Sequence, residues 1–228
     1  MTAGSDTSDA RALVRILWLA SPALPVGAYG YSRGLEQAVT RGLVHDEASL
    51  ASWVSGVLSR QLATLDAPVM LRVLRAARNS CWPEVTRWSA YLSANRESRE
   101  LSLEDVQVGA SLARLLRDMG VHGAHQLTPK AGYAAAFGVA CAHYAVADES
   151  AAAAFLFAFA EGQITAALKC MLLGQTAGQR VLFSLMAQVD ALVPRVLVRE
   201  DQALGSFAPG LSMMSALHET QYSRLFRS

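Results

Sequence analysis

Apolar residues recur at three- and four-residue spacing along nearly the whole chain. Leu13, Ile16, Leu17 and Ala20 set the pattern, and Ser8 or Asp9 caps the start of that helix. Gly34–Thr40 is a short helical piece. Asp46 caps the next helix, where Leu50, Trp53, Val54, Val57 and Leu58 form a stripe. Pro68 suits the first turn of a further helix through Val69, Leu71 and Leu74. Trp82-Pro83 opens another, through Val85 and Trp88 to Leu92. A long helix follows from about Arg96 to Met119, with Gly120 as its stop. "GVHGAHQL" is a loop. Thr128-Pro129 then reads as a cap and first-turn proline, opening a helix that carries Tyr133, Phe137, Cys141 and Tyr144. Asp148 caps "ESAAAAFLFAFAEGQITAALKCMLL". "LGQTAGQ" interrupts, Val181–Leu192 resumes, and Pro194 ends that helix. The tail "HETQYSRLFRS" returns to helical spacing.

No run of β-branched residues alternates with period two, and no tandem repeat or charge block divides the chain. The pattern predicts an all-α, single-domain bundle of about eight to ten helices over residues 9–228, after a disordered 1–8 segment. The most apolar region, Ala131–Leu173, is predicted to be the core, with Phe157 inside it.

Composition narrows the function classes. Of 228 residues, 52% are hydrophobic and 17% charged, which suits a folded chain with a large core. Lys plus Arg number 20 and Asp plus Glu 19, a formal charge of +1, so the basic surplus of a nucleic-acid binder is missing. Charged residues interrupt the apolar region, which argues against a membrane span. No basic n-region precedes an apolar stretch at the N-terminus. Cys81, Cys141 and Cys170 make no CxxC pair, which fits a reducing, cytoplasmic setting.

The strongest departure from helical monotony is "SPALPVGAYGYSRGLEQAV". Pro22 and Pro25 end the first helix near Ala20, and the glycines permit turns or close approach. Tyr29 and Tyr31 each carry about 150–250 Å² of ring surface to bury. They lie either on this protein's own helices or against a partner, with Arg33 and Glu36 as polar handles that pair if they share a helical face. "LGQTAGQ" lacks the GK[ST] of a phosphate loop, so no nucleotide site is expected there. His122 and His125 in their glycine-rich loop are surface histidines or weak metal ligands. No catalytic signature occurs, and His218-Glu219 beside Ser212 and Ser215 does not make a triad by proximity. Lys169 either snorkels from an apolar helix or faces a partner or an internal polar channel. In the tail, Tyr222, Leu225 and Phe226 share one face if the segment is helical, with Arg224 and Arg227 on other sides. That helix enters a partner's groove or docks on its own bundle.

Four blocks go further: "LASPALPVGAYGYSRGLEQAV", "SRELSLEDVQVGASLARLL", "ITAALKCMLLGQTAGQRVL" and "HETQYSRLFRS". Together they resemble the UreF family of urease accessory proteins, from about Leu13 to Ser228. The resemblance implies an all-helical, homodimeric, non-enzymatic cytoplasmic protein with no cofactor of its own. Its implied partners are the accessory protein UreD or UreH, the GTPase UreG and, through the complex, apo-urease, into which the assembly inserts nickel. On this reading Tyr29, Tyr31, Arg33, Glu36, Lys169 and the tail residues His218, Glu219, Tyr222, Arg224, Leu225, Phe226 and Arg227 are the partner-binding set. The alternative is a nickel-binding carrier that uses His122, His125, His218 or Met213-Met214.

Overall fold

A computed structural model describes residues 3–171 and 173–227; the side chains of residues 3–9 and of Tyr29 lie outside that description. The chain is all α-helical, with no strand among the described residues. Helix α1 spans Ala3–Leu19. Residues 3–8, read as a disordered segment, continue that helix, and Met1 and Thr2 lie outside the described residues. Nothing from Ser5 to Ala10 breaks a helix, and extension from an existing turn is far cheaper than nucleation. Its buried residues are Ile16 and Leu19, whereas Leu13, Val14 and Leu17 point outward at 57%, 63% and 62% exposure. The inner face is set by where α1 rests on the helices Tyr133–His143 and Asp148–Cys170, not by spacing alone.

Helix α2 is Leu35–Thr40. Helix α3, Glu47–Val57, starts at a capping box: the Ser49 amide donates to Asp46 Oδ1 at 2.8 Å, and the Asp46 amide donates to Ser49 Oγ at 3.0 Å. A π-helical stretch, Leu58–Asp66, joins α3 to α4, Ala67–Arg78. Pro68 stands in the first turn of α4, as expected, and the π-helical stretch joins that helix to α3 as one continuous rod. Proline has no N–H and crowds the preceding turn, and the wider π turns before it absorb that misfit.

Helix α5 is Trp82–Ala94, and α6, Arg99–Asp118, is capped by Ser98, whose Oγ accepts from the Leu101 amide at 3.1 Å. Helix α7 runs Tyr133–His143. It does not start at Thr128-Pro129, because that segment is a turn pressed against α6. A Cβ on Gly109 would lie 2.4 Å from the Ala131 carbonyl oxygen. Helix α8 is Asp148–Cys170 and α9 is Gln175–Leu197. Asp148 makes no cap; it pairs with Arg75 at 2.7 Å and with Arg78. Helix α9 begins inside "LGQTAGQ" and runs through Pro194, which forfeits a hydrogen bond near the end, while buried Leu192, Val193 and Val196 hold the last turn. Helix α10 is Pro209–His218.

Helices α4 and α7 cross at the centre. Every residue from Ala134 to Cys141 is buried, and Gly138 lets the α4 backbone in: a Cβ there would stand 2.8 Å from the Met70 carbonyl. Tyr133, Phe137 and Phe155 cluster with ring centroids 5.3–5.8 Å apart. The predicted core is thus right for α7 and half right for α8. Phe155, Leu156 and Ile164 face inward, but Phe157 is only half-buried, and much of the core comes from α4. Helix α8 is long and apolar enough to cross a membrane, yet 56% of its most apolar stretch is buried within the bundle.

Candidate functional site

The Pro/Gly segment packs inward. Gly34, at φ 75°, sits against α10, where a Cβ would meet the Ser215 nitrogen at 3.0 Å. Tyr31 is buried and its hydroxyl donates to Gln107 Oε1. Arg33, itself at φ 52°, precedes α2, so helical spacing to Glu36 does not apply and the expected pair does not form. Instead its Nε lies 2.6 Å from Glu104 Oε1, and its guanidinium stands 5.3 Å from the Phe159 ring centroid. Burial opposes the Arg33 charge, but Glu104 overcomes it and holds the pKa above the ordinary value. The side chain of Tyr29 lies outside the described residues.

Glu36 turns the other way, towards the C-terminal segment. His218, with no solvent exposure, lies between two carboxylates: Nδ1 is 2.8 Å from Glu100 Oε2 and Nε2 is 3.0 Å from Glu36 Oε2. An imidazole donates from both nitrogens only when it carries the extra proton. Either the ring is imidazolium or one carboxyl is protonated; in both cases the cluster retains a proton. Burial raises the Glu100 pKa, with His218 and Arg224 opposing. Glu36 also accepts from the Leu225 amide at 2.7 Å, the Phe226 amide at 3.1 Å and Gln221 Nε2 at 3.3 Å. Arg224 reaches Glu100 Oε1 at 3.1 Å, and the Arg227 amide donates to the Gly30 carbonyl at 2.7 Å. Glu219 Oε1 accepts from the Arg99 amide at 3.2 Å.

The tail therefore docks on its own bundle, as an irregular strap and not as the predicted amphipathic helix. After His218 the amides of Glu219, Thr220 and Gln221 close a turn on the Ala216, Leu217 and His218 carbonyls, and those of Leu225 and Phe226 go to Glu36, so the assumed common face is split. Phe226 is buried, whereas Tyr222 and Leu225 are exposed. Lys169 is exposed, its ammonium 5.6 Å from the Phe226 ring centroid. The strap thus unites Glu36, His218, Glu219, Arg224, Phe226 and Arg227 of the predicted set, with Lys169 alongside. Tyr31 and Arg33 belong to the neighbouring α6 contact.

Glu100 and Glu104 carry both contacts, and the sequence reading passed over them. A signal existed: Leu101, Glu104, Asp105, Val108 and Leu112 share one helical stripe, so acids occupy core positions of α6. A third buried contact follows from the same stripe. Arg96 bridges Asp66 at 2.7 Å and Asp105 at 3.1 Å, and these carboxylates hold its pKa above the ordinary value against burial. Elsewhere, burial pushes the Cys170 thiol up to about 11 and raises Cys141 as well, so both are poor nucleophiles at neutral pH. His122 and His125 are exposed, and the His122 amide donates to His143 Nδ1 at 3.2 Å. Among the described residues no three His, Cys, Asp or Glu groups converge to hold a metal ion.

Fold and contacts together define the class: an all-α bundle closed by its own C-terminal strap, whose buried acids serve internal ion pairs. The family model for UreF matches residues 44–186. The chain is 42% identical to a urease accessory protein UreF of Alkalilimnicola ehrlichii over 98% of its length and 99% of the relative's. It is 44% identical to one of Chromohalobacter salexigens, covering 96% of each chain, and 44% identical to one of Azoarcus sp. (strain BH72), covering 95% of each. The chain belongs to the UreF family of urease accessory proteins.

Proposed function

We propose that this protein is a non-enzymatic scaffold that joins UreD/UreH and the GTPase UreG, and that the assembly inserts nickel into apo-urease. Nickel is cargo of the complex on this reading, and the protein works as a cytoplasmic homodimer. The observation that carries the proposal is the way the strap is held. Its backbone and Phe226 are anchored, while Tyr222 and Leu225, at 105% and 70% exposure, stand outward with no internal partner for their apolar surface. Tyrosine is a frequent interface anchor. The outward residues of α1 and the half-buried Phe157 of α8 supply further apolar surface of the kind a dimer buries.

Co-purification of the full chain with UreD/UreH tests this. Replacing Tyr222 and Leu225 together by alanine is expected to leave helicity and thermal midpoint unchanged and to weaken capture at least tenfold. Unchanged capture would remove the strap from the interface. Lys169→Ala, which alters an exposed side chain, is expected to lower urease activation in cells at unchanged protein level. Full activation would remove Lys169 from the partner surface.

A further inference from the structure

Glu161 lies on α8 between two hollows and is half-buried. Among the described residues it has no hydrogen bond or ion pair, and burial is the sole cause of its raised pKa. Every other carboxylate argued from so far has a cation or amide donors against it. A half-buried carboxylate left uncompensated loses hydration without repayment.

The hollow on the Phe159 side shows what would compensate it. It holds about 110 Å³, somewhat less than the roughly 150 Å³ apolar cavity that admits a benzene ring. Leu24, Val26, Ala158 and the rings of Tyr133, Phe155 and Phe159 line it, with neutral polar groups from Ser21, Tyr31 and Gln163; its other charged groups are the Arg33–Glu104 pair, which neutralise each other. The remaining charge is therefore the single negative one of Glu161. One carboxylate among rings does not suit a hard divalent ion, which needs six or more oxygens. It suits a cationic group on an aliphatic stem, because the stem covers apolar wall while the head pairs with the carboxylate. Phe159 already takes one guanidinium, that of Arg33, against its face.

We propose that this hollow is a socket for an arginine or lysine side chain of a partner protein, with Glu161 as its counter-charge. The proposal stands apart from the role in urease maturation and is tested without it. The full chain is titrated with Nα-acetyl-arginine amide and Nα-acetyl-lysine amide while the ring protons of Phe155 and Phe159 are followed by NMR. Nα-acetyl-norleucine amide supplies the uncharged stem. At least one cationic probe is expected to saturate, with affinity at least tenfold above that of norleucine. Glu161→Gln, near-isosteric and partly exposed, is expected to keep the fold by circular dichroism and lose that tenfold preference. Equal binding of norleucine, no saturable shift with either cation, or an unchanged preference in E161Q would each overturn the socket. Sedimentation of wild type and E161Q gives the last arm: dissociation of a dimer by E161Q would assign the cation to a second copy and overturn the separate partner, whereas an unchanged oligomer supports it.

Discussion

Two buried clusters are built to one plan, a nitrogen-bearing side chain held between two carboxyl groups, and they differ in what they connect. Arg96 links Asp66 of the π-helical stretch to Asp105 of α6, inside the body of the bundle. His218 links Glu36 of α2 to Glu100 of α6, beneath the strap. The guanidinium is permanently charged, whereas the imidazole satisfies both neighbours only while the cluster keeps its proton. The permanent ion is used where helices must never separate. The conditional one lies under the short segment that carries the proposed partner residues. Position in the fold and the chemistry of the central side chain together decide whether such a triad is a rivet or a latch.

The largest effect is expected where the rivet is broken. Arg96→Met would leave Asp66 and Asp105 facing each other without a cation, and such losses cost about 3–5 kcal/mol. Urea denaturation should show this as a lower midpoint for the whole protein; a cost below about 1 kcal/mol would mean the two clusters do not differ as described. Phe226→Ala comes next. A buried Phe→Ala change costs about 3–5 kcal/mol in a core, but the strap can peel away alone. Proteolysis after residue 218 should therefore accelerate strongly while the urea midpoint moves by less than that range. A full-sized shift of the midpoint would make the strap part of the core.

Glu36→Gln probes the latch more gently. It removes the charge that two tail amides and His218 share, worth about 1–3 kcal/mol. Hydrogen exchange at the Leu225 and Phe226 amides should quicken about tenfold or more, with exchange at α7 unchanged; equal quickening in α7 would deny the latch its independence. The smallest effect belongs to the surface. Burial works against the Asp148 charge, but Arg75 and Arg78 hold its carboxyl below the ordinary value. Its stabilisation is therefore present above the ordinary aspartate range and lost as pH falls through the lowered value. Asp148→Asn should cost under about 1 kcal/mol at neutral pH, and nothing once the carboxylate is protonated. A cost that persisted in acid would show packing, not charge, at work.

Much of this molecule was legible before its structure. The Asp46 start, the Trp82-Pro83 start, the Gly120 stop and the buried α7 all follow from local rules: caps, proline tolerance and apolar spacing act over a few residues. The candidate site was legible in membership but not in arrangement. Glu36, His218 and Arg224 were singled out, yet 182 positions separate Glu36 from His218, and no spacing rule spans that distance. Leu13 and Leu17 obeyed helical periodicity and still faced outward, because period alone does not say which side meets the bundle.

By itself the sequence determined the all-α class, the Asp46 cap, the Gly120 stop and the family, since these rest on short-range sterics and on blocks of residues matched in order. Tertiary structure alone decided three things. It carried the helix through Pro68, because a π-helical stretch was held by packing on both sides. It bent the tail into a strap, because Glu36 offered its amides a charged acceptor in place of a helical turn. It left Glu161 half-buried without a partner among the described residues, because burial is a property of what surrounds a residue and not of the residue.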